Sequence, residues 1–175
     1  MKKKNLFMLT LTAVLAAQAT AINFLEGFIP ALPFMPPGAK PGFSNIVTMF
    51  AAGSLGLPYA LGIAAVKSLF VFATRGVTAF AMSFAGGVLS AFAMWLLSKY
   101  CRDALGLIGI SVISSLCHNA GQLFMSAAMT GSSKTLYYAP ALAVFGVITG
   151  IITGLIFRVV LPALDKQKKF FTGNK

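Results

Sequence analysis

The stretch SSLCHNAGQLF (residues 114–124) carries the chain's one histidine, His118, next to Asn119 and one turn before Gln122. An imidazole and two carboxamides can each donate and accept hydrogen bonds, which suits them to hold a polar small molecule. His118 and Gln122 stand four residues apart and share a helix face. Ser111, Ser115 and Ser126 extend that stripe, and Asn119 is offset from it by one position. A second chemically loaded position is Lys67, nine residues beyond Pro58 in another apolar run. A lysine at the centre of a membrane helix costs about 2.5–3.5 kcal/mol, so it should face a partner or a wet cavity. The simpler readings are an ion pair for Lys67 and interhelical hydrogen bonds for the amides, worth about 0.6 kcal/mol each. The polar start of a further apolar segment, Ser44, Asn45 and Thr48, tips the balance towards a binding pocket.

Catalysis is poorly served. The three acids, Glu26, Asp103 and Asp165, are scattered at helix ends, whereas a hard cation wants several carboxylate oxygens. Phosphate-binding P-loop, GxSxG and HExxH patterns are absent. Cys101 and Cys117 lack metal-ligand spacing. The expectation is therefore a protein with no catalytic residue, no metal site and no cofactor, and not an enzyme.

The elements that must position these residues follow from composition. Of 175 residues, 58% are hydrophobic and 10% charged, against roughly a quarter charged in soluble domains. The chain is built for lipid. Its net charge of +11 invites a nucleic-acid reading, but the cations gather at Lys2–Lys4, at Lys99 and Arg102, and in the tail from Lys166 to Lys175. Those are the ends of apolar segments, where anionic lipid is met, so no nucleic-acid partner is expected. Apolar runs at 6–29, 43–57, 58–74, 77–97, 105–129 and 137–161 predict six transmembrane helices in an all-α polytopic bundle. The whole of 1–175 then forms one integral membrane domain. Proline density makes 30–42 a loop; Arg75-Gly76 closes the third helix and Pro162 the sixth, leaving 162–175 as a basic tail. The excess of Lys and Arg puts both termini in the cytoplasm and the 30–42 loop outside. The Lys-rich start followed by Ala19-Thr20-Ala21 also resembles a cleavable signal peptide. The apolar pattern continuing to Ile29 argues for a retained helix instead.

On that topology Lys40, Asn45, Lys67, His118, Asn119 and Gln122 converge on a pocket open to the outside, with Arg75 at its rim. Gly86 is expected to allow close backbone approach to it. Cations with apolar walls favour an anionic or strongly dipolar, partly hydrophobic ligand. Small residues form a second pattern: Ala13, Ala17 and Ala21 on one face of the first helix, and Gly146, Gly150 and Gly154 in the sixth. Such faces let helices approach closely. The glycine face is expected to pack within the bundle, and the alanine face against an external membrane partner.

The ordered motifs PGAKPGFSNIVTMF (37–50), SFAGGVLSAFAMWL (83–96), CHNAGQLF (117–124) and YYAPALAVFGVITG (137–150) resemble a known family. They look like heptaprenyl diphosphate synthase component I, also called the Gx transporter family, grouped with substrate-binding S components of energy-coupling factor transporters. The resemblance implies a six-helix capture protein of a bacterial cytoplasmic membrane. It further implies docking through the first helix onto a membrane coupling subunit driven by two cytoplasmic ATPases. The substrate implied is a vitamin-like or isoprenoid/quinone-precursor molecule. Two alternatives stand beside it: a non-catalytic accessory subunit in polyprenyl diphosphate or quinone metabolism, and a membrane component of flavin- or quinone-linked electron transfer.

Overall fold

The computed structural model describes residues 3–30 and 39–172, with side chains for 5–30 and 39–162. Five α-helices make up almost all of it: α1 (Lys3–Gly27), α2 (Asn45–Ser54), α3 (Leu57–Tyr100), α4 (Arg102–Thr130) and α5 (Ala139–Thr172). A 3₁₀ turn, Ser133–Tyr138, links α4 to α5, and no strand occurs among the described residues. Segments of α1, α3, α4 and α5 are long and apolar enough to cross a membrane. At 10 residues, or about 15 Å, α2 is too short to do so alone.

The count is five helical elements, not the six expected, because the helices on either side of Gly76 follow one another across a kink with no loop between them. Gly76 takes φ 84° and ψ −177°, a conformation that glycine reaches without a Cβ penalty. Helix resumes at once on either side. Running straight, 44 residues would extend about 66 Å; the bend folds them into two legs, 57–75 and 77–100, that lie side by side. Ser68 Oγ donates to Ser83 Oγ at 3.3 Å across the legs, and the Phe72 and Phe80 rings meet edge to face at 5.8 Å.

Two further boundaries move. Helix α5 does not stop at Pro162 but carries it inside and continues to Thr172. A proline removes one backbone donor, and the leucine, lysines and glutamine that follow are good helix formers. The expected second helix contracts to Asn45–Ser54, since 42–44 make the turn that starts it, with the Asn45 and Ile46 N–H groups donating to the Gly42 and Phe43 carbonyls. Most of the predicted 30–42 loop, and the end of the predicted tail, fall outside the described residues.

Packing between the later helices depends on glycine. The expected GxxxGxxxG face of α5 lies against α4, inside the bundle. A Cβ added at Gly150 would stand 2.4 Å from the Val112 Cα, and one at Gly154 2.6 Å from the Ile108 Cα. Likewise a Cβ at Gly121 of α4 would meet the Gly86 Cα at 2.9 Å. Where lipid supplies no hydrophobic drive between helices, such close approach is the main source of cohesion. A core of Leu15, Ala19, Phe50, Ile63, Met94 and Phe157 joins α1, α2, α3 and α5. The far end of the bundle gathers Gly53, Ser98, Arg102 and Leu161, with the Lys99 ammonium over the Trp95 and Tyr100 rings at 5.4 and 5.2 Å.

This packing gives a paired prediction. Gly150→Ala drives a methyl into the α4 backbone and should cost about 1–3 kcal/mol. Gly62→Ala, where a Cβ meets nothing within 4 Å, should be neutral or stabilise by up to about 1 kcal/mol. Thermal unfolding in detergent micelles checks this; equal midpoints for the two variants would refute the packing account.

Candidate functional site

The site begins near the end of α1, where an apolar helix carries Asn23 and Glu26 one turn apart. Glu26 is only 2% exposed. Its Oε1 accepts the Phe43 N–H at 2.6 Å and its Oε2 the Ser44 N–H at 3.3 Å. Asn23 Nδ2 donates to Ser44 Oγ at 3.2 Å, while Asn23 Oδ1 is buried without a partner. One helix end thus fixes the start of α2. Gly42 is required at this turn: its φ is +86°, and a Cβ there would come within 3.0 Å of the His118 ring.

From the first leg of α3 comes Lys67, 1% exposed and the bulkiest fully buried side chain among the described residues. Glu26 is the acid whose charge it senses, but no ion pair joins the two among the described residues. A buried cation without a close partner is costly, so the position is one that an incoming anion would relieve. Arg75, beside the bend, lines the same space. Lys40 enters from the segment before α2, its ammonium donating to the Ile29 carbonyl. Burial lowers the Lys40 pKa, the Arg75 charge lowers it further, and Glu26 partly offsets both.

Helix α4 supplies the opposite wall. Gln122 grips the Lys40 backbone twice: Oε1 accepts its N–H and Nε2 donates to its carbonyl, both at 3.3 Å. Those two bonds fix the amide's orientation. Nε2 is then also the donor to His118 Nε2 at 2.8 Å, which places the neutral imidazole's proton on Nδ1. That atom faces Gly86 without a hydrogen bond of good geometry. A Cβ at Gly86 would lie 2.7 Å from it; the glycine lets the ring reach the site at all.

Between these walls lies a cavity of about 20 Å³, closed further by Ala79, Met82 and Ser83. That is room for about one water. Of the expected residues, Lys40, Lys67, His118 and Gln122 come together here, with Gly86 packed behind the ring. Asn45 and Asn119 do not line it. Asn45 Nδ2 donates to Ser90 Oγ at 2.7 Å, joining α2 to the second leg of α3; its Oδ1 and Thr48 Oγ1 stay buried and unpartnered. Asn119 Nδ2 donates to the Leu142 carbonyl at 2.6 Å, facing α5. Asn23, Glu26, Ser44 and Ser83 complete the lining and were not expected as site residues. The spacing of Asn23 and Glu26 in an apolar helix is the same signal that marks His118 and Gln122, and could have found them. Ala13, Ala17 and Ala21 are exposed, along an open groove that Val66 and Phe70 complete.

A profile of the family described as heptaprenyl diphosphate synthase component I matches residues 15–160, and the chain belongs to that family. No curated protein and no solved structure matches it.

The two Gln122 bonds to the Lys40 backbone are long, which makes that contact releasable. Gln122→Leu removes both bonds to Lys40 and should speed amide hydrogen exchange in 39–44 about tenfold, the equivalent of roughly 1.4 kcal/mol. Exchange in the interior of α2 should not change. If exchange in 39–44 is also unaltered, Gln122 is not what holds the segment.

Proposed function

We propose that this membrane protein is the substrate-capturing subunit of an uptake transporter, taking a small anionic molecule into the Lys67 cavity. The observation that carries the reading is the buried Lys67 ammonium, which makes no ion pair among the described residues, beneath a segment to which Gln122 makes two weak bonds. A ligand anion would occupy the space between Lys67, Lys40 and His118 once residues 39–43 lift. The cavity faces outward on this reading, and both termini are cytoplasmic. The exposed face of Ala13, Ala17 and Ala21 would dock on a membrane coupling subunit that works with cytoplasmic ATPases, because small residues let a second helix come close.

The family's description favours a second reading, an accessory subunit in prenyl diphosphate synthesis. The donor set argues against a catalytic version of it. Magnesium diphosphate needs several carboxylate oxygens, whereas Glu26 is the one carboxylate lining the cavity among the described residues, and both its oxygens already accept backbone N–H groups. The residues do not fit such a metal, and no reaction step is assigned to this chain.

Mass spectrometry of small molecules extracted from the purified protein tests the proposal. An anionic compound held by the native protein and depleted at least tenfold in Lys67→Ala and His118→Ala is expected. A compound retained equally by all three, together with a soluble synthase that co-purifies, would replace the transport reading with the accessory one.

A further inference from the structure

The cavity offers more than cations. Asn23, on α1 one turn before Glu26, lines it together with Lys67 and is 6% exposed. Its Nδ2 donates to Ser44 Oγ at 3.2 Å, which leaves the carbonyl end over, and Oδ1 has no hydrogen-bond partner. The buried Lys67 ammonium at the same cavity favours that orientation, because the negative end of the amide dipole is the end a nearby cation attracts.

The other polar side chains around the cavity have their acceptors engaged. Glu26 takes the Phe43 and Ser44 N–H groups, Gln122 Oε1 the Lys40 N–H, and His118 Nε2 the Gln122 amide. Ser44 Oγ accepts from Asn23, and Ser83 Oγ from Ser68. Among the described residues, Asn23 Oδ1 is therefore the one side-chain oxygen at this cavity that no donor reaches. A buried acceptor left unpaired is unfavourable, and a donor carried in by a ligand relieves it. That donor must be small and close to the ligand's charged end, because the space shared by Asn23 and Lys67 is only about 20 Å³. It must also be neutral, since an ammonium there would meet the Lys67 charge at short range.

We infer that the Lys67 cavity selects an anion carrying a neutral hydrogen-bond donor, a hydroxyl or an amide N–H, beside its charged group, and that Asn23 Oδ1 reads this donor. The inference rests on the capture reading above and specifies its substrate class. Lys67 attracts any anion; Asn23 chooses among them, and Ser44 holds its amide in place. A site built around such a bond rejects an analogue without the donor, because the protein's acceptor is then buried unpaired.

Calorimetric titration of the full chain in phosphatidylcholine nanodiscs, with butanoate, 3-hydroxybutanoate, 3-methoxybutanoate and 3-aminobutanoate, tests this. The four acids differ at one substituent, and the methyl ether keeps the oxygen without the donor. 3-Hydroxybutanoate should bind the native protein about tenfold more tightly than each of the others. Asn23→Leu should cut its advantage over the methoxy acid to less than about twofold. Ser44→Ala breaks the same Asn23–Ser44 bond but leaves Oδ1 in place, and should keep at least about a fivefold preference. Equal loss of preference in the two variants would give Asn23 a structural role and overturn its assignment. Equal binding of the hydroxy and methoxy acids by the native protein overturns the donor requirement, whether or not Asn23→Leu folds. Binding of the amino acid as tight as that of the hydroxy acid overturns the neutral donor. If none of the four binds the native protein while extraction yields an anion lost in Lys67→Ala, this inference falls and the capture reading survives.

Discussion

Between Ala39 and Ser44 the backbone is neither helix nor strand, yet it lies against helices that cross the membrane. Backbone donors and acceptors placed there need partners, because lipid offers none. Glu26 and Gln122 supply them from two different helices: Glu26 for the Phe43 and Ser44 N–H groups, Gln122 for both backbone groups of Lys40. Everything else about the site depends on this arrangement. It sets where α2 starts, lays Lys40 and Gly42 over His118, and leaves the small cavity beneath. The two attachments differ in kind. A buried carboxylate at 2.6 Å is a strong, charge-assisted acceptor, whereas the neutral amide bonds at 3.3 Å are weak, so the segment is pinned at Phe43 and its backbone more loosely held at Lys40. Such an asymmetry makes a hinge at one end and a release point at the other.

The buried charges fit the same design. Glu26 serves the backbone with its oxygens and Lys67 with its field, so it compensates the lysine only at a distance. Lys40, Lys67 and Arg75 line the cavity with Glu26. The polar groups one layer deeper, Asn45, Thr48 and Ser90, belong to the helix packing beneath the cavity and join α2 to α3.

Glycine allows these walls to meet. Gly86 faces both His118 and Gly121, so α3 and α4 touch almost backbone to backbone at the level of the site. Gly146 does the same for Asn119, whose amide reaches the Leu142 carbonyl of α5. The stripe of polar residues on α4 is therefore divided between two neighbours: His118 and Gln122 look into the cavity, and Asn119 looks away from it. A shift of one residue turns a helix position by about 100°, enough to exchange one neighbouring helix for another.

Composition and periodicity alone determined that this chain lives in a membrane, that it is helical throughout, and that Lys67, His118 and Gln122 sit where polar groups need a reason. They also marked the glycine face of α5 as a packing surface and the alanine face of α1 as left over. Those conclusions rest on local physics: the cost of polar groups in lipid and the 3.6-residue repeat act within one segment. What the tertiary structure decided concerns relations between segments. It joined two expected helices through the bend at Gly76, carried α5 past Pro162, assigned Asn45 and Asn119 to packing, and brought Asn23, Glu26, Ser44 and Ser83 to the cavity. None of this is written in any single segment's pattern, because helix rotation and the partner of each buried group are set by which neighbour comes within hydrogen-bonding distance.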